Sequence, residues 1–262
     1  MMNNTALKLF FSLLGLGMAA NASASGFSAA ASPPRYELSA TAGQKVSQVL
    51  EIYNVGNANE QYTVKTNDWQ LQGDNLSFHD ELLPNSCREW VKLERHKITV
   101  NRGDKRPMRF EVDVPAGTPA QECRFALMVE GTTPAPNQIA DNINLPVNGR
   151  LAVIVYLAIG GAEPALTVAN LQMSGKTPAL KVSNSGTAHG RLQGVLAGTD
   201  SSGKAIDFSV SSTPIMAGES RLLPLTPHLG EKHLDPKTIQ YPVKLKGQLY
   251  WEKGAFAIDQ TL

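Results

Sequence analysis

The chain has 262 residues, of which 42% are apolar and 18% charged, and its 24 Lys and Arg against 23 Asp and Glu leave a formal net charge of +1. That length suits two domains of ordinary size. The even charge excludes the basic excess that nucleic acid or an anionic membrane surface asks for.

The chain opens as an export signal. Lys8 supplies a cationic start, and "LFFSLLGLGMAA" (residues 9–20) is an apolar stretch too short to span a bilayer as a mature helix. Small residues in A-x-A spacing follow, which predicts a signal peptide over residues 1–24 with cleavage after Ala22 or Ala24. No Cys follows this stretch, so no lipid anchor is expected there, and no later run approaches the length of a membrane span. The mature protein is therefore read as exported and not stably inserted in a membrane. Residues 25–33, small and Pro-terminated, read as a flexible spacer.

From there the pattern has period two, interrupted by Gly, Asn, Asp and Pro, and helix periodicity is scarce. "RYELSATAGQKVSQVLEIYN" reads as strand, turn, strand with Gly43 in the turn, and "QYTVKTNDWQL" as the next strand. "QGDN" followed by "LSF" is a hairpin tipped by Gly73 and Asp74. Met108, Phe110, Val112 and Val114 alternate along one strand, and Phe125, Leu127 and Val129 along another. About seven strands in roughly 125 residues is the count of an immunoglobulin-like sandwich.

"NINLPVNGRLAVIVYLAI" (residues 142–159) has two unlike halves. Its first half alternates, with Ile143, Leu145 and Val147 on one face; its second half, after Gly149 and Arg150, is apolar almost throughout. A strand that merely completes a domain needs only the second half, so the first is read as built for a partner. "GGAEP" then marks a boundary, giving an N-terminal sandwich at 34–160 and a second β-sandwich at 161–262. "LEIYNVGNA" (50–58) and "LKVSNSGTA" (180–188) share one pattern, a strand closing in an Asn/Gly turn, which fits two sandwiches in tandem.

No G-x-S-x-G, H-E-x-x-H, P-loop or dinucleotide fingerprint is present, so no catalytic residues, cofactor or metal are assigned. His228, Glu231, His233 and Asp235 are the best metal candidates, but a charged loop between strands accounts for them more simply. The adjacent acids Asp80 and Glu81 are read as capping a loop, and His189, beside a turn, carries little signal. Cys87 and Cys123, in an exported chain, form either one disulfide closing a loop of about 37 residues or two buried thiols.

In order, these parts resemble the PapD-like periplasmic chaperones of chaperone–usher pilus assembly. The resemblance is carried by "ATAGQKVSQVLEIYN", "WVKLERHKITVNRGDKRPMRFEV", "CRFALMVEG", "INLPVNGRLAVIVYLAI", and "LKVSNSGTAHGRLQGV" with "IMAGESRLL", and spans about residues 33–262. It implies an all-β chain of two tandem immunoglobulin-like sandwiches and a non-enzymatic function in the periplasm. Such a chaperone binds a pilus or fimbrial subunit by lending its seventh strand, here residues 142–157, and delivers it to an outer-membrane usher. The side chains filling the subunit's groove would be Ile143, Leu145 and Val147. A dimer in which two copies cap each other's donor strand is the alternative state of the free protein.

The family also holds the subunit's C-terminal carboxylate with an Arg on the first strand and a Lys on the seventh. Those positions fall here on Leu38 and Ala152, neither of them basic, so the chain resembles a divergent member. Arg150 lies two residues before Ala152, on the same face of a strand, and Arg35 near the start of the first strand; these are the candidate carboxylate anchors. Two other readings stand beside this one. The first is a structural or adhesive fimbrial component of the same fold, disfavoured because residues 23–34 are too small-residued for a good donor segment of its own. The second, more remote, is a metal-dependent hydrolase using His228 to Asp235.

Overall fold

Period-two patterning over "KVSQVLEIYN" makes β3 (Lys45–Asn54), and the same period makes β8 (Lys105–Asp113). In the computed structural model, which describes residues 27–83, 86–132, 135–140 and 143–262, these two strands pair antiparallel from Lys45 opposite Asp113 to Tyr53 opposite Lys105. The signal peptide expected at 1–24 lies outside the described residues. β1 (Ala29–Ser32) flanks β3, and β6 (Val91–Leu93) flanks β8, completing a sheet ordered β1-β3-β8-β6. Gly43, in the turn before β3, has a φ of 79°, a conformation that costs glycine little.

β1 corrects the sequence reading of 25–33 as a flexible spacer. Ala29 pairs with Asn54 and Ser32 with Glu51, while Phe27, Ala29 and Ala31 pack against the core. The small side chains that suggest flexibility instead let this arm lie flat on the sheet edge.

The facing sheet holds β2 (Arg35–Ala40), β4 (Glu60–Gln72), β5 (Asn75–His79), β7 (Lys97–Val100), β9 (Gln121–Gly131) and β12 (Arg150–Ile159). Its order is β2-β12-β9-β4-β5, with β7 also paired to β4. The N-terminal arm thus serves both sheets: after β1 it crosses over, and β2 runs parallel to β12 from Arg35 opposite Ile154 to Ala40 opposite Ile159. Met108, Phe110, Val112 and Val114, grouped on one face by their spacing, are all buried, as are Phe125, Leu127 and Val129 from the opposite sheet. A disulfide joins Cys87 to Cys123 of β9, with Cα atoms 5.9 Å apart.

Residues 166–261 build one further sheet around a separate core that includes Leu180, Leu196, Phe208, Leu225, Leu245 and Leu249. Its strands are β13 (Leu166–Ser174), β14 (Thr177–Asn184), β15 (Val195–Thr199), β16 (Ala205–Val210), β17 (Ser220–Leu229), β18 (Lys232–His233), β19 (Lys244–Trp251) and β20 (Gly254–Thr261). They run β13-β14-β17-β16-β15-β19-β20, with β18 beside β17.

The repeated strand-and-turn pattern has one structural meaning in both halves. Asn54, buried, accepts from Gly56 N and donates Nδ2 to Ala58 O and Val100 O. Asn184, also buried, accepts from Gly186 N and donates Nδ2 to Ala188 O and Ile215 O. The main chains match too: Asn54 N donates to Asp104 O and Gly103 N to Asn54 O, as Asn184 N does to Glu219 O and Gly218 N to Asn184 O. Each Asn is therefore a buried staple between two turns. Asn54→Ala removes the acceptor of one amide and the donor to two carbonyls, Asn184→Ala the acceptor of two amides, Ala165 N and Gly186 N, and the donor to two carbonyls, and each is expected to cost about 2–3 kcal/mol. Urea titration followed by near-UV dichroism checks this, and the paired losses should be alike within about 1 kcal/mol.

Candidate functional site

β10 (Ala135–Ala140) and β11 (Ile143–Val147) form a two-stranded ribbon that extends the β9–β12 hairpin. Where that hairpin meets the ribbon, Arg150 stands opposite Glu130, and Gly131 N donates to Gly149 O. In the ribbon, Ala140 pairs with Ile143, Asn137 with Leu145 and Ala135 with Val147. Gly149, between β11 and β12, has a steric reason: a Cβ there would lie 2.0 Å from that of Phe27. Phe27 in turn meets Tyr62 edge-on, with ring centroids 6.1 Å apart.

β10 covers one edge of β11. Along the other edge no described strand pairs with residues 143–153, because β2 joins β12 only from Ile154 onward. That edge is a row of main-chain donors and acceptors in an extended segment, the template to which a further strand adds. Ile143, Leu145 and Val147 occupy the first, third and fifth positions of β11.

A cleft of about 630 Å³ opens where β2, β9 and β12 meet residues from the second core. Arg35, Glu37 and Leu38 come from β2, Glu122 from β9, Tyr156 from β12, His189 and Arg191 from the segment after the Asn184 turn, and Tyr250 and Trp251 from β19. Glu122 and His189 tie the two halves: Glu122 Oε2 accepts from His189 N at 3.0 Å and lies 2.5 Å from its Nδ1. Glu122 N donates to Thr187 O. The imidazole stacks on Tyr156 at 3.7 Å between centroids. Burial pushes the Tyr156 phenol above its ordinary value, against the opposing pull of Arg191, so it stays protonated.

The cations of the cleft are underused. Arg35 Nε lies 2.8 Å from Glu37 Oε1, and Arg191 Nε lies 3.7 Å from the same oxygen. Arg191 donates through Nη1 to Ser212 O and through Nη2 to Tyr156 Oη, but its buried Nε has no hydrogen-bond partner among the described residues. His189 Nε2 lies 3.7 Å from the same Glu37 oxygen, and Glu122 and Glu252 line the cleft as well. Of the two anchor candidates taken from the sequence, Arg35 lines this cleft; Arg150 does not and sits exposed at the start of β12. Leu38 also lines it, while Ala152 packs against the small apolar cluster of Trp69, Met128 and Tyr156.

Arg191, His189, Glu122 and Tyr156 were not legible as a site, since they converge only across the two cores. The acids Asp80 and Glu81 are structural: Asp80 accepts from Lys65 and Asn67, and both main-chain carbonyls accept from Arg88. Hydrogen bonding to Lys65 holds the Asp80 carboxyl below its ordinary value. The structure does not gather His228, Glu231, His233 and Asp235 into a ligand set. His228 contacts Ser209 and Gly230 O, Asp235 accepts from Lys237 N, and no group of three or more candidate ligands converges among the described residues.

No family model matches the sequence. No curated protein matches it either. Solved structures do match the fold. The YadV chaperone superposes with a TM-score of 0.50 at 13% identity, covering 90% of this chain and all of that one (100%). The Escherichia coli chaperone DraB gives 0.46 at 14% identity, covering 89% and 99% of the two chains. A chain of the Salmonella enterica SafA pilin–SafB chaperone complex gives 0.46 at 11% identity, covering 90% and 97%. This chain is thus all-β, with two immunoglobulin-like domains, and has the fold of the YadV chaperone along nearly its whole length.

Proposed function

We propose that the protein is a divergent PapD-like periplasmic chaperone that binds pilus or fimbrial subunits and hands them to an outer-membrane usher. The observation that carries this reading is the unpaired edge of β11, continued by the first residues of β12. A subunit lacking its last strand has a groove that accepts such an edge, main chain to main chain, with Ile143, Leu145 and Val147 entering pockets. Each fully buried side chain of this kind contributes roughly 1.5–3 kcal/mol. Association itself costs roughly 4–15 kcal/mol, so three side chains need the main-chain bonds and a further anchor to hold a client.

That anchor is the cleft. In this reading Arg35 and Arg191 receive the client's C-terminal carboxylate, with Glu37 yielding its share of both guanidinium groups. Arg150, on the edge itself, acts as a charged gatekeeper against indiscriminate strand pairing.

Co-expression with fimbrial subunits encoded in the same gene cluster tests the proposal. A stable one-to-one complex in periplasmic extracts is the expected result. Recovery of the protein in sheared surface filaments instead would overturn it in favour of a structural fimbrial component. Arg35→Gln is expected to lower client affinity about tenfold, the worth of one charge-assisted hydrogen bond, measured by titrating purified client into the variant. An unchanged affinity removes Arg35 from the anchor.

A further inference from the structure

The cleft is far larger than a carboxylate requires. Its volume of about 630 Å³ falls among sites that enclose whole ligands, and beyond the two arginines its wall includes Tyr250 and Trp251. We propose that Tyr250 and Trp251 read the side chain next to the bound carboxylate, so that the cleft prefers clients whose C-terminal residue is aromatic. This rests on the carboxylate-anchoring reading above and adds a specificity to it.

The placement follows from one pair of main-chain bonds. Gln193 N donates to Tyr250 O, and Tyr250 N donates to Gln193 O. Gln193 and Arg191 are two residues apart and both line the cleft, so this bridge brings Tyr250 up to the segment that carries Arg191. In the proposed pose a chain end's carboxylate meets Arg191 while its last side chain meets Tyr250.

Trp251 packs against the second core, whereas Tyr250 is not explained by the local fold alone. Tyr250 is 53% exposed, and its hydroxyl donates only to Gln248 Oε1, itself on the surface. Trp251 is held in place by stacking on Phe256, with centroids 6.3 Å apart and planes 12° from parallel. An exposed phenol gives contact area at little entropic cost. Arg35 and Arg191 are the groups in the cleft that can donate to an anionic chain end, and Tyr250 then grades what precedes that charge. Glu37, Glu122 and Glu252, which share the cleft, disfavour a terminal acidic side chain there.

The test uses the full mature chain and three probes: acetyl-Gly-Gly-Phe and acetyl-Gly-Gly-Ala with free carboxylates, and acetyl-Gly-Gly-Phe amide. Binding is read by NMR, following the indole N–H of Trp251. The Phe acid should bind about three- to tenfold more tightly than the Ala acid, the range of an aromatic contact, and Tyr250→Ser should bring that ratio towards one. Trp251→Phe, read by calorimetry, should reduce it in part. Equal binding of the Phe and Ala acids overturns the aromatic reading while leaving the anchor standing. Equal binding of the Phe acid and its amide overturns the anchor. Failure of every probe to perturb the cleft overturns both.

Discussion

If the proposed function holds, Leu145→Asp is expected to abolish client binding, lowering affinity more than a hundredfold without unfolding the protein. The substitution removes the central of three apolar side chains, worth roughly 1.5–3 kcal/mol when fully buried, and asks the client groove to desolvate a carboxylate instead. A loss of about 3 kcal/mol corresponds to more than a hundredfold. Among the described strands, β11 pairs only with β10, so the free protein should keep its urea midpoint. Pull-down of tagged client from periplasmic extract reads the binding, and denaturation reads the control. An intact complex with this variant ends the strand-donation mechanism, whatever else the protein does.

Replacing both cysteines by serine is expected to destabilise the first sandwich by about 4 kcal/mol. The cross-link closes a sequence separation of 36, and loop-closure entropy for that length gives about 4 kcal/mol in the chain-entropy account. In a domain of this size such a loss lowers the melting temperature by about 10–20 °C. Cys87 precedes the turn Arg88–Trp90, and Cys123 neighbours Glu122, the residue that holds His189. Loosening the bridge therefore frees the 80–90 segment first. Arg88 still pins that segment through Thr66 O and Asp80 O, so folding should survive at low temperature. Calorimetry of the double variant beside the oxidised protein checks the shift, and the second sandwich, with its own core, should melt as before. Identical transitions would show that the bridge leaves the unfolded chain's freedom unaltered.

What could be read in advance was whatever is local. Alternation at Met108, Phe110 and Val112 reports a strand with one buried face, because side-chain direction reverses at every residue, and those residues are buried. The Asn/Gly turns at Asn54 and Asn184 are local too, since each side chain closes its own turn. β1 escaped notice because alanine carries little hydrophobic signal; its strand character comes from the edge of β3 that it covers. The cleft escaped for a different reason. Glu122 and His189 are 67 residues apart and Tyr156 and Arg191 are 35 apart, and nothing in either neighbourhood marks the other. Arg35 was visible as a cation near a strand start; its shared carboxylate and its neighbour Arg191 appear only once both cores are assembled.

The crossing of the N-terminal arm from one sheet to the other decides how much of the β12 margin stays open. Were that arm to continue beside β12 instead of joining β3, residues 150–153 would gain a permanent neighbour, and the first sandwich would be self-sufficient. By sealing one margin with Ala29–Ser32 and reaching the other only at Ile154, the chain keeps its own interior closed while leaving residues 150–153 without a second neighbour among the described strands.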